Sequence, residues 1–114
     1  MYTVDEITEL LERKEFNIRT KDGLQRVKGY TCAITCFDDS MAHAVFAEIG
    51  VHKNDAGFWT ITDLHSGCAI TSTLVWKTRK EAIGAFLMKY PAYSRFCMNR
   101  EFEEIKHNAE VRRI

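Results

Sequence analysis

Phe58-Trp59-Thr60-Ile61-Thr62-Asp63-Leu64-His65-Ser66-Gly67 decides how the chain folds. Threonine, isoleucine and the aromatics favour a pleated, half-buried strand, and His65-Ser66-Gly67 then breaks it. Similar turn formers recur on the N-terminal side, at Asp38-Asp39-Ser40 and Asn54-Asp55-Ala56-Gly57. Regularly spaced breaks between apolar runs predict an antiparallel meander. That spacing decides an otherwise ambiguous stretch, Met41 to Val51. Ala42, Ala44, Ala47 and Glu48 suit a helix there, whereas Val45, Phe46, Ile49 and Val51 suit a strand, and the strand is favoured. Tyr30 to Phe37 carries apolar residues on both parities, as a strand covered on both faces does, and Cys68 to Val75 is also β-rich.

Phe16 to Thr20 and Leu24 to Lys28 flank Lys21-Asp22-Gly23, so a hairpin is expected across the Asp-Gly pair. Before it, Thr3-Val4-Asp5-Glu6 has the form of a capping box. Val4, Ile7, Leu10 and Leu11 form one stripe, predicting a helix from about Thr3 to Lys14. Thr78-Arg79-Lys80-Glu81 repeats the cap pattern, and Ala82, Ile83, Phe86, Leu87 and Tyr90 give the clearest helical face. Pro91 predicts an end to that helix near Tyr90, because the residue before proline avoids the helical region. A last helix is expected from about Asn99 to Arg112, with Phe102, Ile105 and Ala109 on one side. The expected class is α+β: a meander of about four to six strands packed against helices at the N- and C-terminal ends, in a single domain over residues 1–114.

The chain has 114 residues, 46% of them hydrophobic, with a single proline. That is enough for one core without disulfides or metals. The N-terminal residues do not read as a secretory signal and no apolar run approaches the ~20 residues of a membrane span, so a cytoplasmic location is expected. Cys32, Cys36, Cys68 and Cys97 are then expected as thiols. Sixteen basic and sixteen acidic side chains cancel, but unevenly. Residues 31–75 hold Lys53 alone against Asp38, Asp39, Glu48, Asp55 and Asp63, while residues 76–114 hold nine basic and five acidic groups. An acidic middle and a basic end make a bipolar molecule, which orients a charged partner without general stickiness.

Few chemistries fit. Cys32 and Cys36, on one strand, would stand about 13 Å apart, too far to share a zinc ion. His65 and Cys68 supply at most half a metal site or an isolated nucleophile pair, so neither metal nor cofactor is expected. Glu48, His52, Asp63 and His65 would approach one another if the flanking strands pair, which allows acid–base hydrolysis with His52 or His65; such residues are more often merely solvated. There is no glycine-rich phosphate loop. Trp76, Lys77, Arg79, Lys80, Lys89, Tyr90, Tyr93 and Arg95 interleave cations and aromatics, as RNA- or DNA-binding segments do, although Tyr90 shares the helix's core face. Asp38, Asp39, Asp55 and Asp63 are expected on turns or strand ends, exposed to a basic partner.

Residues 58–67, followed by Lys77-Thr78-Arg79-Lys80-Glu81-Ala82-Ile83, resemble a segment of small uncharacterised bacteriophage and plasmid proteins. In these a Trp-x-Ile/Val-Thr strand, a Ser/Thr-Gly turn and a Thr-Arg-Lys-Glu-Ala helix start occur in that order. The resemblance covers residues 58–83. It implies a mobile-element origin, no defined catalytic residues, and an anti-defence role such as inhibition of a CRISPR nuclease. The leading expectation is therefore a non-enzymatic module that grips a host protein, a nuclease or defence complex, through its acidic turns. Nucleic-acid binding by residues 76–95 is the alternative, and a small hydrolase is the third.

Overall fold

In the computed structural model, which describes residues 2–37, 44–71 and 76–112, both arms of the N-terminal capping box are made. The Thr3 hydroxyl accepts from the Glu6 N–H at 3.1 Å, and the Glu6 carboxylate accepts from the Thr3 N–H at 3.2 Å. Helix α1 spans Val4–Leu10 and buries Ile7. It stops short of Lys14 because Leu11 is extended (φ −66°, ψ 131°) and Glu12 already pairs with Thr31. The hairpin claims residues that a short, isolated helix cannot hold.

Strands β1 (Glu12–Thr20), β2 (Gly23–Phe37), β3 (Ala44–Lys53) and β4 (Trp59–Asp63) form one antiparallel sheet in chain order. The expected α+β meander is this sheet. The β1–β2 connection is the two residues Lys21 and Asp22, followed by Gly23 at φ +108°, where a side chain would be strained. β2 is longer than expected, running unbroken through Gly29. Gly29 and Gly50 leave room for Phe16, which crosses the outer face of the sheet; a Cβ on Gly50 would stand 2.6 Å from that ring. His52 packs edge-on against Phe16, with centroids 5.5 Å apart.

The strand expected over residues 68–75 is absent from the described part, 68–71; residues 72–75 lie outside it. Only an isolated bridge joins Thr62 to Ala69. The Thr71 hydroxyl takes the Ile61 N–H at 3.3 Å, so a side chain replaces a ladder partner at that edge. Further on, the Trp59 N–H donates to the Trp76 carbonyl at 2.8 Å.

Helix α2 spans Arg79–Arg112 and passes straight through Pro91, so the expected stop at Tyr90 and the separate final helix are both corrected. A proline inside a helix loses one backbone hydrogen bond and costs about 3 kcal/mol. Anchors on both sides of Pro91 offset that cost. Tyr90 donates its hydroxyl to the Thr35 carbonyl at 2.7 Å, and Ser94 to the Phe37 carbonyl at 2.9 Å. Ala82, Ile83, Phe86, Tyr90, Tyr93 and Cys97 of α2 form the core with Cys32, Ile34 and Cys36 of β2, Ala47, Ile49 and Val51 of β3, and Ile61 of β4. Past this contact, residues 101–107 are all exposed, Phe102 and Ile105 included. No helix among the described residues is long and apolar enough to cross a membrane.

Candidate functional site: a cationic, aromatic cleft beside the start of α2

The helix-facing side of the sheet extends beyond the point where α2 begins. Side chains alternate along a strand and paired residues share a face. Arg13 is paired with Tyr30, and Lys53 with Trp59, while Tyr30 is paired with the core residue Val51. Arg13, Lys28, Tyr30, Lys53 and Trp59 therefore continue the core face into solvent, where with Gly29 they line a cleft of about 390 Å³.

Arg79, the first residue of α2, lies over this end of the sheet. Its guanidinium carbon is 4.4 Å from the centroid of the Tyr30 ring and 5.8 Å from that of Trp59. Arg13 approaches Tyr30 at 5.9 Å, and the Lys53 ammonium approaches Trp59 at 5.5 Å. The two rings are 6.4 Å apart and tilted by 39°. The helix start is fixed by the Thr78 hydroxyl, which accepts from the Glu81 N–H at 3.2 Å, while the Glu81 carboxylate takes the Lys77 N–H at 3.4 Å. Arg79 is thereby held in place by backbone capping.

Among the described residues, none of Arg13, Lys28, Lys53 and Arg79 makes an ion pair with a carboxylate. Glu15 is the cross-strand partner of Lys28 and lies 3.7 Å from Arg26, so one carboxylate borders the four cations, and the balance at this end of the sheet is still positive. The Tyr30 hydroxyl registers it: a hydrogen bond from Arg13 and the nearby Arg79 charge outweigh desolvation and lower its pKa below the ordinary value.

Of the expected nucleic-acid contacts, Arg79 reaches the rings that line the cleft, with Lys77 and Lys80 exposed at the same helix start. Lys89 and Arg95 lie farther along α2 and are exposed, whereas Trp76 packs against the core. Tyr93 is corrected: it is buried and donates its hydroxyl to Asp63 at 2.7 Å. Arg13, Lys28, Tyr30, Lys53 and Trp59 were not expected at a site. Extending the hairpin register from Thr20–Gly23 back to Arg13–Tyr30 is the signal that finds the first three.

Of the four aspartates expected at one exposed surface, Asp63 does not belong there. Asp63 is corrected from exposed to 3% exposed. It accepts from Arg100 at 2.7 Å, from Tyr93 at 2.7 Å, and from the hydroxyl and N–H of Ser66 at 2.7 and 3.1 Å. Burial alone would raise its pKa, but these bonds hold the carboxyl below its ordinary value. Asp55 is exposed in the β3–β4 turn, and Asp38 and Asp39 lie outside the described residues.

The hydrolase candidates separate as well. His52 is buried, with one ring nitrogen on the Lys53 carbonyl and the other 3.2 Å from the Thr62 hydroxyl; burial lowers its pKa. It faces Phe16 rather than a cleft. His65 is exposed and lies 3.2 Å from Glu104. Glu48 is exposed on β3. These residues do not converge on one reacting atom.

No family model, curated protein or solved structure matches the chain.

Proposed function

We propose that the cleft binds single-stranded nucleic acid. One observation carries this reading: four cations, without ion pairs among the described residues, gather about two aromatic rings at one end of a sheet. Phosphates suit Arg13, Lys28, Lys53 and Arg79, while Trp59 and the Arg79 guanidinium offer planar surfaces to a base. With a formal net charge of zero, the chain as a whole exerts no attraction on a polyanion, so binding depends on local clusters of cations such as this one.

Titration of a fluorescently labelled single-stranded oligonucleotide tests it. Four phosphate contacts give a slope of log affinity against log salt of about −3, at about 0.7 per contact. Lys53→Ala and Arg79→Ala each reduce that slope by about 0.7. Trp59→Ala weakens binding about 5- to 150-fold, the equivalent of about 1–3 kcal/mol of stacking. A salt-independent interaction, or one indifferent to all three substitutions, refutes the reading.

A second reading, a protein-binding module acting on a host defence or nucleic-acid enzyme in the cytoplasm, draws support from exposed apolar surface. Phe46 is 81% exposed on the open face of the sheet and Met88 is 87% exposed on α2. Of the four aspartates first expected at such a surface, Asp55 is exposed and Asp63 no longer contributes.

A further inference from the structure

The sheet and α2 overlap only in part, and each extends past the other at opposite ends of the molecule. Beyond the start of α2, the inner face of the sheet continues as the cleft, where cations gather about the Tyr30 and Trp59 rings. Beyond the far end of the sheet, α2 runs on and residues 101–107 are all exposed. The inner face of the helix buries Tyr90, Tyr93 and Cys97. Steps of three and four residues along that face lead to Glu101, Glu104 and Ile105. Ile105 is 55% exposed, and Glu104 touches the exposed His65 at 3.2 Å. Glu103 and Lys106 lie round the helix from this face, and their charges offset each other.

We propose that copies of this chain associate head to tail, the overhanging turns of α2 in one copy covering the cleft of the next. The two overhangs are complementary: one carries cations and aromatic rings, the other two carboxylates and an aliphatic side chain. Each is also the bare part of a layer that elsewhere packs against its counterpart, so the contact continues the helix-on-sheet packing of the core from one copy into another. The overhangs cannot meet within one chain. Glu101 follows Arg79 by 22 residues of a single helix, about 33 Å at 1.5 Å per residue.

The contact joins different surfaces of the two copies, so it builds chains, or rings where the rotation closes. A helix end seated in a cleft of about 390 Å³ is a small interface, and association is weak and concentration dependent. It draws on the charge and rings of the cleft whatever else binds there, and a strand of nucleic acid in the cleft excludes the helix of another copy.

Analytical ultracentrifugation of nucleic-acid-free protein tests the proposal. At about 10 mM salt, where the Debye length is about 30 Å, the weight-average mass rises with protein concentration. At about 1 M salt, where that length is about 3 Å, it returns to the 13.2 kDa of one chain. Lys28→Glu with Lys53→Glu, and separately Glu101→Lys with Glu104→Lys, give monomers at low salt; all four positions are exposed, and circular dichroism checks that both variants fold. Mixing the two variants restores association as a one-to-one complex that grows no further, because the first keeps its helix overhang and the second its cleft. A parent that is monomeric at low salt, a mixture that stays monomeric, or association that survives either pair of substitutions overturns the proposal. The last result is what a symmetric apolar pairing of the exposed Phe46 or Met88 surfaces gives. A monomeric parent leaves the oligonucleotide titration standing, so the two readings fail separately.

Discussion

Replacing Arg100 with methionine strands the Asp63 carboxylate in the interior. The Asp63 side chain is 4% exposed and that of Arg100 19%, so solvent screens the pair weakly. Breaking a buried pair by removing one partner costs about 3–5 kcal/mol, because the remaining charge keeps its desolvation penalty. Tyr93 and Ser66 still bond Asp63, which places the expected loss near the lower figure. At about 2.1 cal/mol/K per residue, unfolding this chain of 114 residues has an entropy near 0.24 kcal/mol/K. A loss of about 3–5 kcal/mol then lowers Tm by about 12–20 °C. Circular dichroism melts at pH 7 measure it. Asp63→Asn added to Arg100→Met removes the stranded charge and recovers part of the loss, with a coupling of at least about 1 kcal/mol in the double-mutant cycle. A fall of less than about 4 °C for Arg100→Met, with no coupling, refutes the claim that this ion pair organises the junction of β4 and α2.

Pro91→Ala restores a backbone N–H to the middle of α2 but also gives the unfolded chain more freedom; the net expectation is about 1–2 kcal/mol of added stability, read as a higher denaturant midpoint. A lower midpoint indicates that the proline is needed for the helix to follow the sheet. Stability also falls with acid in two stages. His52 has a lowered pKa, so the unfolded chain takes up its proton first and stability declines as pH drops below about 6.5. Asp63, also lowered, adds stability above its unfolded value of about 3.9 that is lost as pH falls through its lower folded pKa. Each stage has a limiting slope of about 1.4 kcal/mol per pH unit. His52→Gln removes the upper stage alone, as equilibrium unfolding at successive pH values shows; an upper stage that survives assigns it to another group.

Most of the architecture is legible in local chemistry. The Thr3 cap, the Asp22-Gly23 turn and the alternation through Trp59 to Asp63 each name an element that forms. Pro91 misleads because its local cost is set against long-range anchors, Tyr90 on Thr35 and Ser94 on Phe37, which no local pattern shows. Cys68 to Thr71 misleads in the opposite sense: strand-forming residues need a partner edge, and β4 offers them only one bridge. The inward turn of Asp63 was readable. It shares the parity of Trp59 and Ile61, so a strand that buries Ile61 carries Asp63 to the same face. Its partner Arg100, 37 residues later in the chain, was not. The cleft was half visible for the same reason. Register brings Arg13 to Tyr30 and Lys53 to Trp59, but only the packing of α2 lays Arg79 across them.

The most direct measurement follows the amide, arginine Nε–H and indole N–H resonances of isotope-labelled protein during titration with a short single-stranded oligonucleotide. Salt-sensitive shifts concentrated on Arg13, Lys28, Tyr30, Lys53, Trp59 and Arg79 are predicted. Shifts confined to the Phe46 face or to the outer half of α2, or none at low salt, contradict the assignment of the cleft.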